Sequence, residues 1–126
     1  MVVLDTHVLI WWAGDSKLLS PRAAAAIAKA DRLGVPAIVF WETSLLVRKR
    51  RLDLGMPVLE WAEKVQTIPR VDTLPLTAEI ALLADSLIMH ADPVDRFITA
   101  TAVHHRVPLV TKDRLLRRLK IVKTIW

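Results

Sequence analysis

The sequence predicts an α/β sandwich, with helices packed on both faces of a central, mostly parallel sheet of about five strands. Three observations predict it. Short apolar runs without polar alternation, such as Val2-Val3-Leu4, are what strands buried on both faces require. Helical segments, many with recognisable caps, alternate with these runs along the whole chain. The 126 residues are the size of one domain, read as spanning 1–126, and 53% hydrophobic content supplies a core without disulfide staples.

Each element has its own justification. Val2-Val3-Leu4 is the first strand, and Thr6 to Ala13 reads as a helix closed by Gly14. Ser20-Pro21 is an N-cap with proline at the first helical position. The helix it opens is expected to reach about Leu33, with Gly34 closing it. Ala37-Ile38-Val39-Phe40 reads as the second buried strand, followed by a helix from Trp41 to about Arg51 and then Gly55. Pro57 opens a further helix with Val58, Trp61, Ala62 and Val65 on one face. Val71 to Leu76 reads as a strand that Pro75 confines to a sheet edge or a strand end. Thr77 caps a helix whose core stripe is Ile80, Leu83, Ala84, Leu87 and Ile88. Asp92-Pro93 repeats the cap-then-proline signal, with Val94, Phe97, Ile98, Thr101 and Ala102 facing inward. Pro108-Leu109-Val110 is a strand, Asp113 to Leu119 a short helix, and Ile121 to Ile125 a last strand.

Composition removes several function classes. Without cysteine there is no disulfide scaffold, no cysteine zinc site and no thiol nucleophile. A cytoplasmic setting is expected. The longest uncharged runs, such as Leu33 to Trp41, are about nine residues, where a membrane span needs about twenty. The N-terminus lacks the basic region of a signal peptide and enters a core strand directly. The net charge is +5, and residues 103–126 carry seven Lys/Arg against the single acid Asp113. Arg48, Lys49, Arg50 and Arg51 form a second basic cluster. Clustered cations on a basic chain fit a polyanion, nucleic acid being the usual one, or else a solvated basic face.

The chemistry-bearing residues are acids placed after strands. Asp5 ends the first strand, Glu42 follows the second, and Asp113 follows the fourth through Thr111-Lys112. In a parallel α/β sheet, ligands bind outside the carboxyl ends of the strands. Asp92 and Asp95, at a helix start, could complete the group. Close carboxylates need a raised pKa or a cation between them. An all-oxygen cluster suits Mg²⁺ or Mn²⁺, which can polarise a phosphodiester and activate water. Each acid also has a plainer reading. Asp92 is an N-cap, Asp95 the third residue of a capping box, Glu42 a helix-dipole partner and Asp113 the cap of the last helix. Asp5 is the hardest to explain this way, since burying it unpaired at the end of an apolar strand is costly.

Other residues carry less. His7, His90, His104 and His105 lack metal-ligand spacing, and His7 alone falls near the acids. Only Gly14, Gly34 and Gly55 are present, so no glycine-rich phosphate loop exists. Trp11, Trp12, Trp41 and Trp61 read as core or interface residues rather than base-stacking platforms.

Together these motifs resemble the PIN-domain family and, within it, the VapC toxins of prokaryotic toxin–antitoxin modules. The matching pieces are Val2-Val3-Leu4-Asp5-Thr6-His7, Trp41-Glu42, Leu52-Asp53-Leu54-Gly55, Asp92-Pro93-Val94-Asp95-Arg96 with the helix through Ala102, and Leu109-Val110-Thr111-Lys112-Asp113. They fall in order along the whole chain. The resemblance implies a PIN-domain sandwich and an endoribonuclease dependent on Mg²⁺ or Mn²⁺. The family's four acids fall on Asp5, Glu42, Asp95 and Asp113, with Asp5 and Asp95 the leading metal ligands and Glu42 and Asp113 completing the set. Thr111 matches a small hydroxyl residue near the metal, and Asp92 is a cap or outer-shell residue. RNA contacts are assigned to Arg48, Lys49, Arg50, Arg51, Arg114, Arg117 and Arg118. The resemblance also implies a homodimer and a cognate VapB-type antitoxin. An antitoxin helix is expected to pack around Trp11 or Trp12 and Trp61, sending a cation toward Asp5, Glu42 and Asp95.

Two other classes compete. A phosphoacceptor receiver domain has similar length and an acid pocket, but it wants paired acids after strand one and an acceptor Asp after a middle strand. Acetyl-phosphate labelling would reveal it. A non-catalytic RNA-binding module would bind RNA indifferently to EDTA and to loss of Asp5.

Overall fold

Strand β1 (Val2–Leu4) occupies the middle of a five-stranded sheet, with β2 (Leu33–Pro36) and β3 (Val71–Leu74) on one side and β4 (Leu109–Val110) and β5 (Thr124–Ile125) on the other. The computed structural model describes residues 1–126. Every strand pair is parallel, and β1 pairs Val3 with Gly34 on one side and with Leu109 on the other. The chain first builds outward through β2 and β3, then returns to lay β4 against the free edge of β1. The direction of winding therefore reverses between β1 and β4, and a crevice opens at the carboxyl ends of those two strands.

The helices are α1 (Thr6–Ala13), α2 (Pro21–Lys29), α3 (Ile38–Arg48), α4 (Val58–Thr67), α5 (Ala78–Ser86), α6 (Pro93–His105) and α7 (Arg114–Arg118). Several caps are made by the residues that the sequence nominated. The Ser20 hydroxyl accepts from Ala23 N, Thr77 from Ile80 N, Asp92 from Asp95 N, and Asp113 from Leu115 N and Leu116 N. Val3, Leu4, Val8, Leu9, Ile98, Leu109 and Leu116 are fully enclosed in one main core. Burying each such side chain contributes about 1.5–3 kcal/mol. Ile98 brings α6 onto the sheet, and this contact sets where Asp95, one turn earlier, is presented.

The second strand and the helix boundaries beside it depart from the expectation. Helix α2 ends at Lys29 rather than near Leu33, and the strand is Leu33–Pro36 rather than Ala37–Phe40. Gly34 is a strand residue at a close approach: a Cβ there would lie 2.7 Å from Leu74 Cδ1. Pro36 ends the strand, and Ala37 N still donates to Leu74 O at 2.8 Å, so the ladder passes beyond the proline. The apolar run Ile38-Val39-Phe40 is the first turn of α3, with Val39 in the core and Phe40 edge-on to Trp61 at 6.1 Å. The last strand is shorter than expected, at Thr124–Ile125, while β3 takes the edge position that Pro75 implied. In the α5 stripe, Ile80, Ala84 and Leu87 are buried, but Ile88 lies beyond the helix and is 93% exposed.

Candidate active site

Asp5 and Thr111 meet across the β1–β4 crevice. Asp5 N donates to Val110 O and keeps the residue in the ladder to the end of the strand. Its carboxylate is buried and accepts two hydrogen bonds, from Thr6 N at 2.8 Å and from Thr111 Oγ1 at 2.5 Å. Thr111 is itself fully buried and accepts from Asp113 N at 3.0 Å. This hydroxyl therefore joins Asp5 to the loop that presents Asp113. Burial pushes the Asp5 carboxyl above its ordinary value, and the nearby Asp113 charge adds to this, while the two hydrogen bonds and His7 partly oppose it.

Glu42 and Asp95 reach the same crevice from helices. Glu42 is the fifth residue of α3 and does not directly follow a strand, because the strand ends before Ala37. Its carboxyl is half-buried and raised, first by desolvation and then by Asp5, Asp95 and Asp92, against the opposing influence of Thr6. Asp95 lies in the first turn of α6 and is raised in the same way, by desolvation and then by Asp92, Asp5 and Asp113. Its Oδ2 lies 2.7 Å from His90 Nε2, which favours the charged form and orients the group. Asp95 is thus no return partner for the Asp92 cap; only the Asp92-to-Asp95 N half of that box forms.

These acids line one cleft of about 720 Å³: Asp5, Glu42, Asp92, Asp95 and Asp113 are all on its wall, with Lys49, Arg51, Lys112 and Arg114 around them. No cation is paired with Asp5 or Glu42, and no three His, Asp or Glu side chains are drawn tightly enough together to form a ready metal cage. The donor set nevertheless fits a hard divalent ion. Three carboxyls are held above their ordinary values by burial and mutual repulsion. The buried Thr6 hydroxyl lies beside Glu42, close enough to act on its carboxyl but without closing a well-formed hydrogen bond to it or to any other group. A sparse ring of oxygens suits Mg²⁺, which keeps several of its waters and takes few protein ligands.

The structure separates the remaining candidates by place. Arg48 and Arg50 are exposed and stand outside the cleft, whereas Lys49 and Arg51 line it. Arg117 and Arg118 line a separate basic pocket. Trp61 is 7% exposed and belongs to the core, so it cannot serve as a docking anchor. Trp11 lines the acid cleft itself, and Trp12 is half-buried against the core. Asp53 accepts from Gly55 N in a turn whose glycine takes φ 69°. A receiver-type acceptor is absent from the end of the second strand, since that position is Pro36 and Glu42 lies within α3.

Two residues of the site region escaped the sequence reading. His90 lacked metal spacing, and its role depends on the fold of the loop before Asp92. The signal available was a histidine five residues before an acid across a proline cap. Arg96 follows Asp95 but turns away from the cleft. It donates to the carbonyls of Ala84, Leu87 and Met89 and closes the end of α5.

A parallel sheet wound outward from β1, with acids from β1, α3, α6 and the β4–α7 loop in one cleft, defines a class of metal-fitting α/β domains. The PIN domain model matches residues 2–122, and the chain belongs to the PIN-domain family, on its VapC branch. It is 40% identical to Ribonuclease VapC22 of Mycobacterium tuberculosis over 129 aligned residues, covering 99% of this chain and 98% of that protein. Among solved structures, its fold is similar to a chain of VapBC2 from Rickettsia felis bound to a promoter DNA fragment, with TM-score 0.71, 15% identity, and coverage of 98% and 97% of the two chains. A toxin–antitoxin complex from Klebsiella pneumoniae gives TM-score 0.69 at 17% identity, covering 97% and 95%. DNA-bound VapBC from Salmonella typhimurium gives 0.68 at 18%, covering 98% and 95%.

Proposed function

We propose that the chain, acting over residues 1–126 as one PIN domain, is an endoribonuclease and the toxin of a VapBC-type toxin–antitoxin module. The observation that carries this reading is the convergence of Asp5, Glu42, Asp95 and Asp113 on a cleft rimmed by Lys49, Arg51, Lys112 and Arg114. Asp5 and Glu42, which no cation of the chain pairs with, supply a place for a metal, and the surrounding cations attract a phosphodiester. The VapC-named relative supports RNA as the substrate.

Asp5 and Asp95 are the leading ligands for Mg²⁺ or Mn²⁺, with Glu42 and Asp113 completing the set. When bound, the ion supplies positive charge against the phosphodiester and acidity to a water. The remaining work falls to the chain. Thr111 holds the Asp5 carboxylate in one orientation, and its hydroxyl ties Asp113 to the same point. His90 holds Asp95. Lys112 and Arg114 receive the substrate backbone.

A VapB-type antitoxin and a second copy of the chain are the protein partners in this reading, and the cytoplasm is its setting. No helix is long and apolar enough to cross a membrane. With Trp61 in the core, exposed apolar residues such as Leu59, Leu82 and Ile88 are the surfaces left for these partners.

Expression of wild type and Asp5→Ala in a bacterium, with sequencing of RNA 5′ ends, tests the reading. Wild type should generate new 5′ ends at defined positions and arrest growth, and Asp5→Ala should do neither. New ends that persist in Asp5→Ala, or none in either strain, would overturn it.

A further inference from the structure

Beside the acid cleft lies a second one, of about 550 Å³, lined by Arg22, Arg114, Arg117, Arg118, Thr124 and Trp126. It brings α2, α7 and the end of β5 together. No Asp or Glu side chain lines it, and none of its four guanidiniums takes part in an ion pair. Four like charges converging without an acidic side chain to pair with repel each other, so the pocket is matched to a polyanion.

Two features connect this pocket to the acid cleft. Arg114 lines both. An aromatic run also passes from one to the other: His7 and Trp11, on the wall of the acid cleft, have ring centroids 5.7 Å apart, and Trp11 and Trp126 lie 5.9 Å apart. Trp126 belongs to the arginine pocket, and Lys112 sits over the Trp11 ring at 5.3 Å. Proteins that hold single-stranded nucleic acid combine a basic groove for the backbone with aromatic rings on which bases stack. Arginines alone would suit any acidic ligand; the run of rings beside them adds the stacking surface that bases use.

The geometry points to a single-strand track. RNA leaving the acid cleft passes its bases over Trp11 and Trp126 and places backbone phosphate among Arg22, Arg114, Arg117 and Arg118. This rests on the ribonuclease reading and deepens it, adding a subsite beyond the reacting phosphate and a stacking role for tryptophans. Substrates that extend into the track gain affinity that short ones lack.

The test uses the full chain and two probes. One is a 2′-O-methyl single-stranded oligonucleotide in EDTA, read by fluorescence anisotropy across a salt series. The other is a pair of cleavable RNAs, one just spanning the acid cleft and one extended. Arg22→Gln and Arg117→Gln/Arg118→Gln change exposed residues, and melting curves check that they fold. Each neutralised contact should reduce the log–log salt slope by about 0.7. Trp126→Ala should weaken oligonucleotide binding about fivefold or more. All three variants should raise KM for the extended RNA, with kcat and the short RNA unaffected. If wild type cuts RNA and the folded variants match it in slope, affinity and KM, the track is overturned while the nuclease stands. If wild type cuts nothing but binds the oligonucleotide in an arginine- and Trp126-dependent way, the nuclease reading fails and the track stands. A polyglutamate peptide that binds through these arginines, with oligonucleotide binding indifferent to them, would overturn the track in favour of a protein ligand.

Discussion

The two ends of the sheet use the same residue types to opposite effect. At the amino ends of the strands, the Met1 amino group lies 2.6 Å from Asp31, and the Arg32 guanidinium grips Asp72 through two bonds, Nε–Oδ2 being 2.6 Å. Both carboxyls are held below their ordinary values, chiefly by the side-chain hydrogen bonds of those cations. At the carboxyl ends, Asp5, Glu42 and Asp95 are pushed the other way by burial and by one another. The first set is satisfied within the chain. The second remains short of positive charge, a shortage that an ion or a substrate can relieve.

The largest expected effect lies at the unsatisfied end. Asp5→Asn or Asp95→Asn should reduce RNA cleavage on the order of a hundredfold or more, the scale of losing one essential electrostatic contact. A variant cutting at the wild-type rate would remove these acids from the site. His90→Ala should cost about tenfold to a hundredfold, as for residues that orient a ligating group. Its effect should nearly vanish in an Asp95→Asn background, because the histidine acts through that carboxylate; additive losses in the double variant would contradict this.

pH sharpens the contrast. The fold favours the protonated forms of Asp5, Glu42 and Asp95, so their stabilising contribution is fully present below the ordinary carboxylate range of about pH 4 and is lost as pH rises through the raised values. Asp31 and Asp72 contribute in the reverse sense, with stability present above that range and lost as pH falls through their lowered values. In metal-free solution, the stability of Asp5→Asn relative to wild type should therefore grow from about pH 4 to about pH 7. That of Asp72→Asn should fall as pH rises toward about 4 and change little above it. Denaturant melts across pH read both, and parallel curves would contradict the distinction. The smallest effect belongs to the exposed pairs: Asp72→Asn should lower the melting temperature slightly, less so in high salt, and leave cleavage unchanged.

Much of this was legible in the sequence where a local rule had one meaning. Cap-then-proline at Ser20-Pro21 and Asp92-Pro93 located two helix starts to the residue. Val2-Val3-Leu4 located the first strand, which lies at the centre of the sheet with Asp5 at its end. The reading slipped where one residue type serves two purposes. Gly34 and Pro36 look like breakers, yet one permits the close approach of Leu74 and the other ends a strand whose ladder continues through Ala37. The apolar run 38–40 could be strand or helix, and only packing against Trp61 and the core decides. Glu42 still reaches the cleft, because a shift of four residues leaves it near the same edge of the sheet. The basic cluster at 48–51 could not be resolved from sequence. Which of its cations face the cleft depends on where α3 ends and on Arg50, which takes a left-handed conformation at φ 57°. His90 and the aromatic run through Trp126 join residues distant in sequence or separated by a loop, and no spacing rule reaches them.

The most direct test compares thermal melts of wild type and Asp5→Asn, each with and without Mg²⁺. Without metal, Asp5→Asn should melt at or above wild type, since it removes one charge from a repulsive, partly desolvated group. Mg²⁺ at a hundred times its dissociation constant should stabilise wild type by about 2.7 kcal/mol and leave Asp5→Asn nearly unmoved. A variant that melts below wild type without metal, with Mg²⁺ shifting both proteins equally or neither, would show that the acids at the carboxyl end are satisfied within the chain after all.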